Sequence, residues 1–222
     1  IELSFCKNAD EVDVEKTDGI IAVGRFLSAE LEKMKQLGIQ VLFVDSNPDP
    51  HEFNSIQPNL QMMVETAIEY FVQAGYQKIG FIGGRSWDSM EGRHVLRDTR
   101  TRCFESRARE LGLFNQNYVF IGDNFSVDSG YQVGREIVGK IRDDLPQAFL
   151  VASDPLAVGV LQAFNENKLT VPEDVSMISI NDIDIAKYVS PPLTTFRIDT
   201  EELGKVAIET LRNLIVSPKK SK

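Results

Sequence analysis

Residues 148–199 read AFLVASDPLAVGVLQAFNENKLTVPEDVSMISINDIDIAKYVSPPLTTFRID, and this stretch decides the fold. Its first residues, Ala148 to Ala152, form a continuous apolar run, which is typical of a parallel strand covered on both faces. The run stops at Ser153-Asp154-Pro155. Asp154 is suited to cap the free amides of a helix, and proline is suited to its first turn. The stretch therefore begins as a buried strand that turns directly into a helix.

A second buried strand completes this βαβ unit. The helix is expected to end near Asn167, and Val175 to Ile180 is the next apolar run, which stops at Asn181-Asp182. Neighbouring parallel strands end at the same edge of a sheet, and ligands bind at that edge in open α/β sheets. Ser153, Asn181 and Asp182 are therefore expected to lie together at a ligand-binding edge.

The rest of the chain repeats the alternation of strand and helix. Strands are predicted at Ile1 to Cys6, Gly19 to Gly24, Val41 to Val44, Lys78 to Ile82 and Tyr118 to Ile121. Helices are predicted to begin at Ser28, Asn59, Thr99, Asp128 and Asp199. This order predicts an α/β fold with parallel sheets and helices on both faces.

Two prolines indicate how the chain is divided. Pro191 and Pro192 stiffen an extended segment before the last helix, which suggests that the chain crosses there between two similar Rossmann-like lobes. We expect an amino-terminal lobe of residues 1–75 plus 195–222, and a carboxyl-terminal lobe of residues 76–194, with a ligand cleft between their strand ends. One continuous sheet is the alternative.

Composition excludes several classes of protein. Of the 222 residues 42% are hydrophobic and 26% charged, and no apolar run approaches the roughly 20 residues of a membrane helix. The formal net charge of -9 opposes a phosphate backbone, so this chain by itself should bind DNA poorly. Cys6 and Cys103 are too few for a disulfide scaffold, and two reduced thiols are typical of a cytoplasmic protein.

Motifs for catalysis, cofactors and metals are missing from the sequence. There is no G-x-G-x-x-G and no G-x-x-x-x-G-K-[ST], and Gly83-Gly84 alone is interpreted as a tight turn. His51 and His94 lie far apart, without cysteines or paired carboxylates at ligand spacing. Ser153 has no G-x-S-x-G turn around it. We therefore expect no enzyme activity, no cofactor and no metal.

A different set of residues points to a small polar ligand. Arg100 lies four residues before Phe104 on the buried stripe of its helix, so its guanidinium should face the cleft and need acceptors there. Arg100, Asn181 and Asp182 can hydrogen-bond hydroxyl groups, and Phe125 can stack on a sugar ring. The alternative is that Asn181 and Asp182 only form a turn and that Phe125 belongs to the core.

Several motifs together resemble one family. They are DGIIAVG at residues 18–24, QAGYQKIGFIGG at 73–84, D-x-R-x-x-x-F at 98–104, VASDPLAVGVLQAF at 151–164, and VPEDVSMISIND at 171–182 followed by PPLTT. Over nearly the whole chain they resemble the effector-binding domain of the LacI/GalR family of bacterial transcription regulators, which has a periplasmic-binding-protein-like fold. The resemblance implies a homodimeric cytoplasmic repressor whose lobes close on a small molecule, most often a mono- or disaccharide.

The resemblance also implies site residues. Positions matching Arg100, Phe125, Ser153 and Asn181 contact the effector in the family, whereas Asn59 and Arg25 correspond more loosely to the contribution of the other lobe. Asn181 stands where an aspartate is usual, which keeps an acceptor and removes a charge, and Cys103 replaces a common glycine.

The DNA-binding part of such a regulator is not within these residues. The helix-turn-helix, the first strand and helix of the ligand domain and its last strands are all missing from the 222 residues, so operator DNA would be bound only through that further segment. The competing hypothesis is a periplasmic-type sugar-binding protein for transport or chemotaxis. A helix-turn-helix upstream would support the regulator, and a signal peptide there the transport protein.

Overall fold

The computed structural model describes residues 2–85 and 98–217. The chain divides into a smaller unit, Ile1–Pro58 with Asp199–Lys222, and a larger unit, Asn59–Ile198. Each unit has its own parallel sheet, as the alternation of strands and helices predicts. The prediction of an α/β protein with more than one sheet is therefore confirmed.

The smaller unit contains a three-stranded sheet of order β1-β2-β3. Its elements are β1 (Gly19–Val23), α1 (Ser28–Gln36), β2 (Gln40–Val44), β3 (Asn54–Ile56) and α6 (Thr200–Val216). Side chains of β2 alternate between the two faces of the sheet. Phe43 packs in one core cluster with Met34 of α1, whereas Leu42 packs in the other with Leu211 of α6. A helix therefore covers each face.

The larger unit contains a five-stranded sheet of order β5-β4-β6-β7-β8. Its elements are α2 (Leu60–Gln73), β4 (Ile79–Gly84), α3 (Thr99–Glu110), β5 (Val119–Gly122), α4 (Val127–Ile141), β6 (Ala148–Val151), α5 (Asp154–Glu166), β7 (Ser176–Asn181) and β8 (Thr194–Arg197). Short 3-10 turns lie at Ala9–Glu11, Val14–Lys16, Gln116–Tyr118, Arg142–Asp144 and Asp184–Lys187 of the chain.

Both faces of this sheet are buried, which explains the uninterrupted apolar run of β6. Leu150 belongs to the cluster that holds Phe71 of α2 and Phe104 of α3, and Phe149 belongs to the cluster that holds Leu156 of α5. All four residues of β6 are buried. None of the helices in the described ranges is long and apolar enough to cross a membrane.

The structure differs from the sequence prediction in the first strand and in both boundaries between the units. Residues 2–6 form no strand, and Phe5 is almost fully exposed, because no neighbouring strand in the described part pairs with this segment. The boundary between the units lies at Asn59 rather than near residue 75, since α2 packs on α3 and shares the core of the larger unit. The second boundary lies at Asp199, because β8 pairs with β7 as far as Arg197.

Candidate ligand-binding site

Arg100 lies near the start of α3, where Asp98 is the N-cap. Asp98 Oδ1 accepts a hydrogen bond from the backbone amide of Arg100 at 3.0 Å, which satisfies one of the free amides of the helix. The Arg100 side chain is 12% exposed and that of Asp98 only 2%. The burial of the Arg100 side chain therefore confirms the prediction that this side chain faces inward.

The guanidinium of Arg100 already has acceptors within the protein. Its Nε donates to Asp98 Oδ1 at 2.7 Å, its Nη2 to Asp98 Oδ2 at 3.0 Å, and its Nη1 to the carbonyl oxygen of Ala152 at 2.6 Å. The expectation that this cation depends on a ligand for acceptors is therefore wrong. A two-point ion pair with Asp98 fixes the plane of the guanidinium instead.

Phe125 packs against the core, which was the alternative considered for it, and its stacking on a sugar ring stays a prediction. Its ring packs against both core clusters of the larger unit, and its centroid lies 4.6 Å from Arg100 Cζ. This cation–π contact supports the guanidinium from one side. Each terminal nitrogen of arginine carries a second N–H beyond the bonds to Asp98 and Ala152. Arg100 can therefore still donate to a ligand while it keeps its protein partners.

Ser153 provides an unsatisfied polar atom at the same edge of the sheet. It lies two residues after the end of β6, its residue surface is 3% exposed, and among the described residues its Oγ has no hydrogen-bond partner. A buried hydroxyl without a partner costs about 1–3 kcal/mol. Because Ser153 lies next to Ala152, whose carbonyl binds Arg100, a ligand with hydroxyl groups is a chemically suitable partner for it.

Asp154 does not cap α5 as predicted. The cap residue of α5 is Ser153, and no side chain forms a cap hydrogen bond there. The fully buried carboxylate of Asp154 accepts instead from Ser179 Oγ at 2.5 Å, from Thr195 Oγ1 at 2.6 Å and from the amide of Ile183 at 2.8 Å. These donors come from β7, from β8 and from the turn after β7, so Asp154 connects three segments rather than one helix end.

Asn181 and Asp182 form the turn at the end of β7, and both are half-buried. Their backbone φ angles are 127° and 57°, both in the region that favours glycine. The carbonyl of Asn181 accepts from the amide of Ile198 at 3.2 Å, and the amide of Asp182 donates to Thr195 Oγ1 at 3.3 Å. The turn interpretation is thus confirmed for the backbone, and a ligand contact by the side chains stays a prediction.

Glycine at the end of β4 is explained by packing. A Cβ atom on Gly84 would lie 2.5 Å from the carbonyl oxygen of Asn124, so the loop that carries Phe125 requires glycine there. This agrees with the interpretation of Gly83-Gly84 as a structural feature and not as a phosphate loop.

Two further predicted site residues lie elsewhere. Asn59 is in the larger unit and not in the other lobe, and its Oδ1 caps α2 by accepting from the amide of Met62 at 3.0 Å. Arg25 is exposed in the loop after β1 of the smaller unit. Contact of either residue with a ligand stays a prediction.

The histidines do not form a metal site in the described ranges. His51 is exposed, and its amide donates to Asp49 Oδ1 at 2.9 Å in a surface loop. His94 lies outside the described residues. Residues 2–85 and 98–217 contain no group of histidine, cysteine and acidic side chains that could hold a metal ion.

Sequence reasoning missed Asp98 and Thr195 as partners of the site. Asp98 carried a usable signal, since an aspartate just before a predicted helix is a common N-cap and lies close enough to bond the arginine two positions later. Thr195 carried none, because it bonds Asp154 across 41 positions of the chain.

The two parallel sheets with their covering helices are the architecture of a known class of protein. The family model of the periplasmic binding protein-like domain matches residues 68–222. The chain belongs to this family, and it is similar to proteins named as HTH-type transcriptional regulators.

Two of these relatives show the extent of the similarity. The HTH-type transcriptional regulator GanR of Bacillus subtilis is 40% identical over 213 residues, covering 95% of this chain and 64% of the regulator. The HTH-type transcriptional regulator LacR of Lactobacillus helveticus is 41% identical over 203 residues, covering 90% of this chain and 59% of the regulator. The chain thus spans less than two thirds of the length of either relative.

Solved structures agree with the fold. A LacI family transcriptional regulator from Mycobacterium smegmatis has a TM-score of 0.78 at 25% identity, covering 95% of this chain and 75% of that one. A LacI family regulator from Lactobacillus casei with bound sucrose has a TM-score of 0.76 at 19% identity, covering 96% of this chain and 78% of that one.

Proposed function

We propose that the chain is the effector-sensing domain of a LacI-type transcriptional repressor. It binds a mono- or disaccharide at the carboxyl edge of the larger unit, and the bound sugar controls operator binding by an amino-terminal helix-turn-helix. The observation that carries this proposal is that the same edge holds a buried Arg100 fixed by Asp98 and a Ser153 hydroxyl without a hydrogen-bond partner among the described residues. The names of the relatives support the regulatory role.

The chemistry of the edge suits a neutral polyhydroxylated ligand. The second N–H groups of Arg100 can donate to sugar oxygens, Ser153 Oγ can donate and accept, and the Asn181 amide can do both. Asp98 balances the charge of Arg100, so the pair offers directed donors without a net positive charge. Sucrose bound to the Lactobacillus casei regulator supports the same ligand class here.

The net charge of the chain and the names of its relatives support the remaining parts of the proposal. A net charge of -9 argues against direct DNA binding by these residues, so the operator is contacted through the part of the regulator that they do not cover. We place the protein in the cytoplasm, as a homodimer and without enzyme activity. Relatives named as regulators favour this role over the periplasmic transport alternative.

A thermal-shift screen followed by calorimetry tests the proposal. The panel is D-glucose, D-galactose, D-ribose, lactose, sucrose and cellobiose, and we expect at least one to raise the melting temperature. A sugar at a hundredfold its dissociation constant adds about 2.7 kcal/mol to the free energy of unfolding. If no panel sugar changes the melting temperature or gives binding heat, the proposed ligand class is wrong.

Ser153→Ala then tests the site itself. The hydroxyl has no protein partner to lose among the described residues and its burial costs free energy, so we expect the melting temperature of the free protein to stay the same or rise. Loss of one ligand hydrogen bond should lower the affinity for the sugar by about 0.5–1.5 kcal/mol. Ser106→Ala, on the exposed face of α3, is the matched control and should bind like wild type. Equal affinity of Ser153→Ala and wild type would place the sugar elsewhere.

A further inference from the structure

The turn after β7 holds two successive non-glycine residues at positive φ. Asn181 has φ 127° and Asp182 has φ 57°, and side chains other than glycine rarely adopt such angles. Strained backbone of this kind persists only where the surrounding structure holds it, and it concentrates at functional sites. Glycine at either position would remove the strain. The presence of two polar side chains there therefore requires an explanation.

The backbone amides of this turn donate hydrogen bonds to one buried carboxylate and to a threonine that is bonded to it. Asp154 Oδ2 accepts from the amide of Ile183 at 2.8 Å, and Asp154 Oδ1 accepts from Thr195 Oγ1 at 2.6 Å. The same Thr195 oxygen accepts from the amide of Asp182 at 3.3 Å. Two successive amides of the turn are therefore bound to one pair of residues, which we name the Asp154–Thr195 clamp.

Closing a turn does not by itself explain the free-energy cost of burying the Asp154 carboxylate. Asp154 is fully buried, and in the described part of the chain its carboxylate is held by hydrogen bonds and not by a salt bridge. Removing a carboxylate from water is expensive, and hydrogen bonds offset this cost only when their geometry is good. A buried acid that holds strained polar residues at a ligand edge is better explained by the orientation that it gives to those side chains.

We infer that Asp154 and Thr195 are positioning residues for sugar recognition. They hold the Asn181-Asp182 turn so that both side chains face the sugar, and they act without touching it. This inference rests on the proposed function, because it assigns a role to residues behind the proposed site. It predicts that loss of the Thr195 hydroxyl weakens sugar binding through the turn.

Thr195→Val and Thr195→Ser separate the hydroxyl from the shape of the side chain. Valine keeps the volume and removes the hydroxyl, whereas serine keeps the hydroxyl. We expect Thr195→Val to weaken binding of the panel sugar that wild type binds by about tenfold or more, and Thr195→Ser to restore affinity to within about threefold of wild type. Thr194→Val, at the exposed neighbouring position of β8, should bind like wild type.

Amide hydrogen exchange of the free protein gives a readout that needs no sugar. Thr195→Val should speed exchange of the Asp182 and Ile183 amides by about tenfold, whereas Thr195→Ser and Thr194→Val should not. Calorimetry is performed at a temperature at which every variant is fully folded. Unchanged exchange and affinity in Thr195→Val, or an equal loss in Thr195→Ser, would overturn the clamp. A wild type that binds no panel sugar contradicts the proposed function instead, and the exchange rates then still decide whether the clamp holds the turn.

Discussion

Arg100 and Asp98 form a buried ion pair, so removing the cation should destabilise the fold. In Arg100→Ala the Asp98 carboxylate, which is 2% exposed, keeps its helix amide and loses the guanidinium. Breaking a buried pair by removing one partner costs about 3–5 kcal/mol. We expect the free energy of unfolding to fall by about that amount in urea denaturation.

Arg102→Ala is the control for this measurement. Arg102 is exposed on the same helix, and its Nη2 meets Thr99 Oγ1 only at 3.3 Å, so its loss should change stability by less than about 0.5 kcal/mol. The double variant Asp98→Ala/Arg100→Ala should lose less than the two single losses combined, because neither partner is left unpaired. Wild-type stability of Arg100→Ala would show that the pair contributes nothing.

Individual residues also show which side-chain directions and hydrogen bonds could be predicted from the sequence. Helical spacing was enough to predict that Arg100 faces inward, because a buried stripe follows from the position of Phe104 four residues later. The acceptors of Arg100 could not be predicted fully, since the carbonyl of Ala152 lies 52 positions away. Asp154 was interpreted from its local position as a cap, and its real donors are 25 to 41 positions away. Hydrogen bonds across such separations depend on the fold and not on spacing.

At the scale of elements, α4 and α5 pack backbone against backbone through glycines. A Cβ atom on Gly159 would overlap the carbonyl oxygen of Val127, and one on Gly130 would overlap that of Leu156. Neither helix can move away cheaply, because each also packs on the sheet through residues such as Val133 and Leu156. We expect Gly159→Ala to lower the free energy of unfolding by about 2 kcal/mol, measured by urea denaturation.

Gly139→Ala on α4 is the matched control for overpacking. No neighbouring atom lies within 4 Å of a Cβ built there, so alanine only restricts the unfolded chain and favours the helix. It should raise stability by about 0.5–1 kcal/mol. If both glycine variants change stability in the same direction, then helix propensity and not close packing determines the effect.

The positions of most strands and helices could be predicted from the sequence, whereas the elements that each one packs against could be predicted less well. β4, β6 and β7 were predicted because runs of apolar residues identify strands buried on both faces. The amphipathic pattern of α2 correctly identified a buried face, with Phe71 in the core. The same pattern could not tell which sheet that face covers, and so the predicted lobe boundary came too late in the chain. Residues 2–6 are apolar enough for a strand but have no described strand beside them.

At the scale of the whole molecule, the Asp154–Thr195 clamp lies close in sequence to the point where the chain leaves the larger unit and enters the smaller one. β8 ends at Arg197 and the chain enters the smaller unit at Asp199, so Thr195 belongs to the last strand before the crossing. Ile198, just before the crossing, donates its amide to the carbonyl of Asn181. The turn after β7 is therefore hydrogen-bonded directly to the segment that joins the two units. The proposed sensing function requires a coupling between the ligand and a distant part of the chain, and this hydrogen bond is a contact that can contribute to it.

The proposed homodimer can be tested at an exposed apolar surface after β7. Tyr188 is 80% exposed beside the 3-10 turn Asp184–Lys187, and Ile183 and Ile185 are exposed there too. A large aromatic side chain in an interface typically contributes about 2 kcal/mol or more, so Tyr188→Arg should weaken dimerisation by roughly thirtyfold. Sedimentation at tens of micromolar, about where a weakened dimer dissociates, measures this. Tyr70→Arg, at a tyrosine that is 61% exposed on α2, should remain dimeric. A dimer that Tyr188→Arg leaves intact would place the interface on another surface.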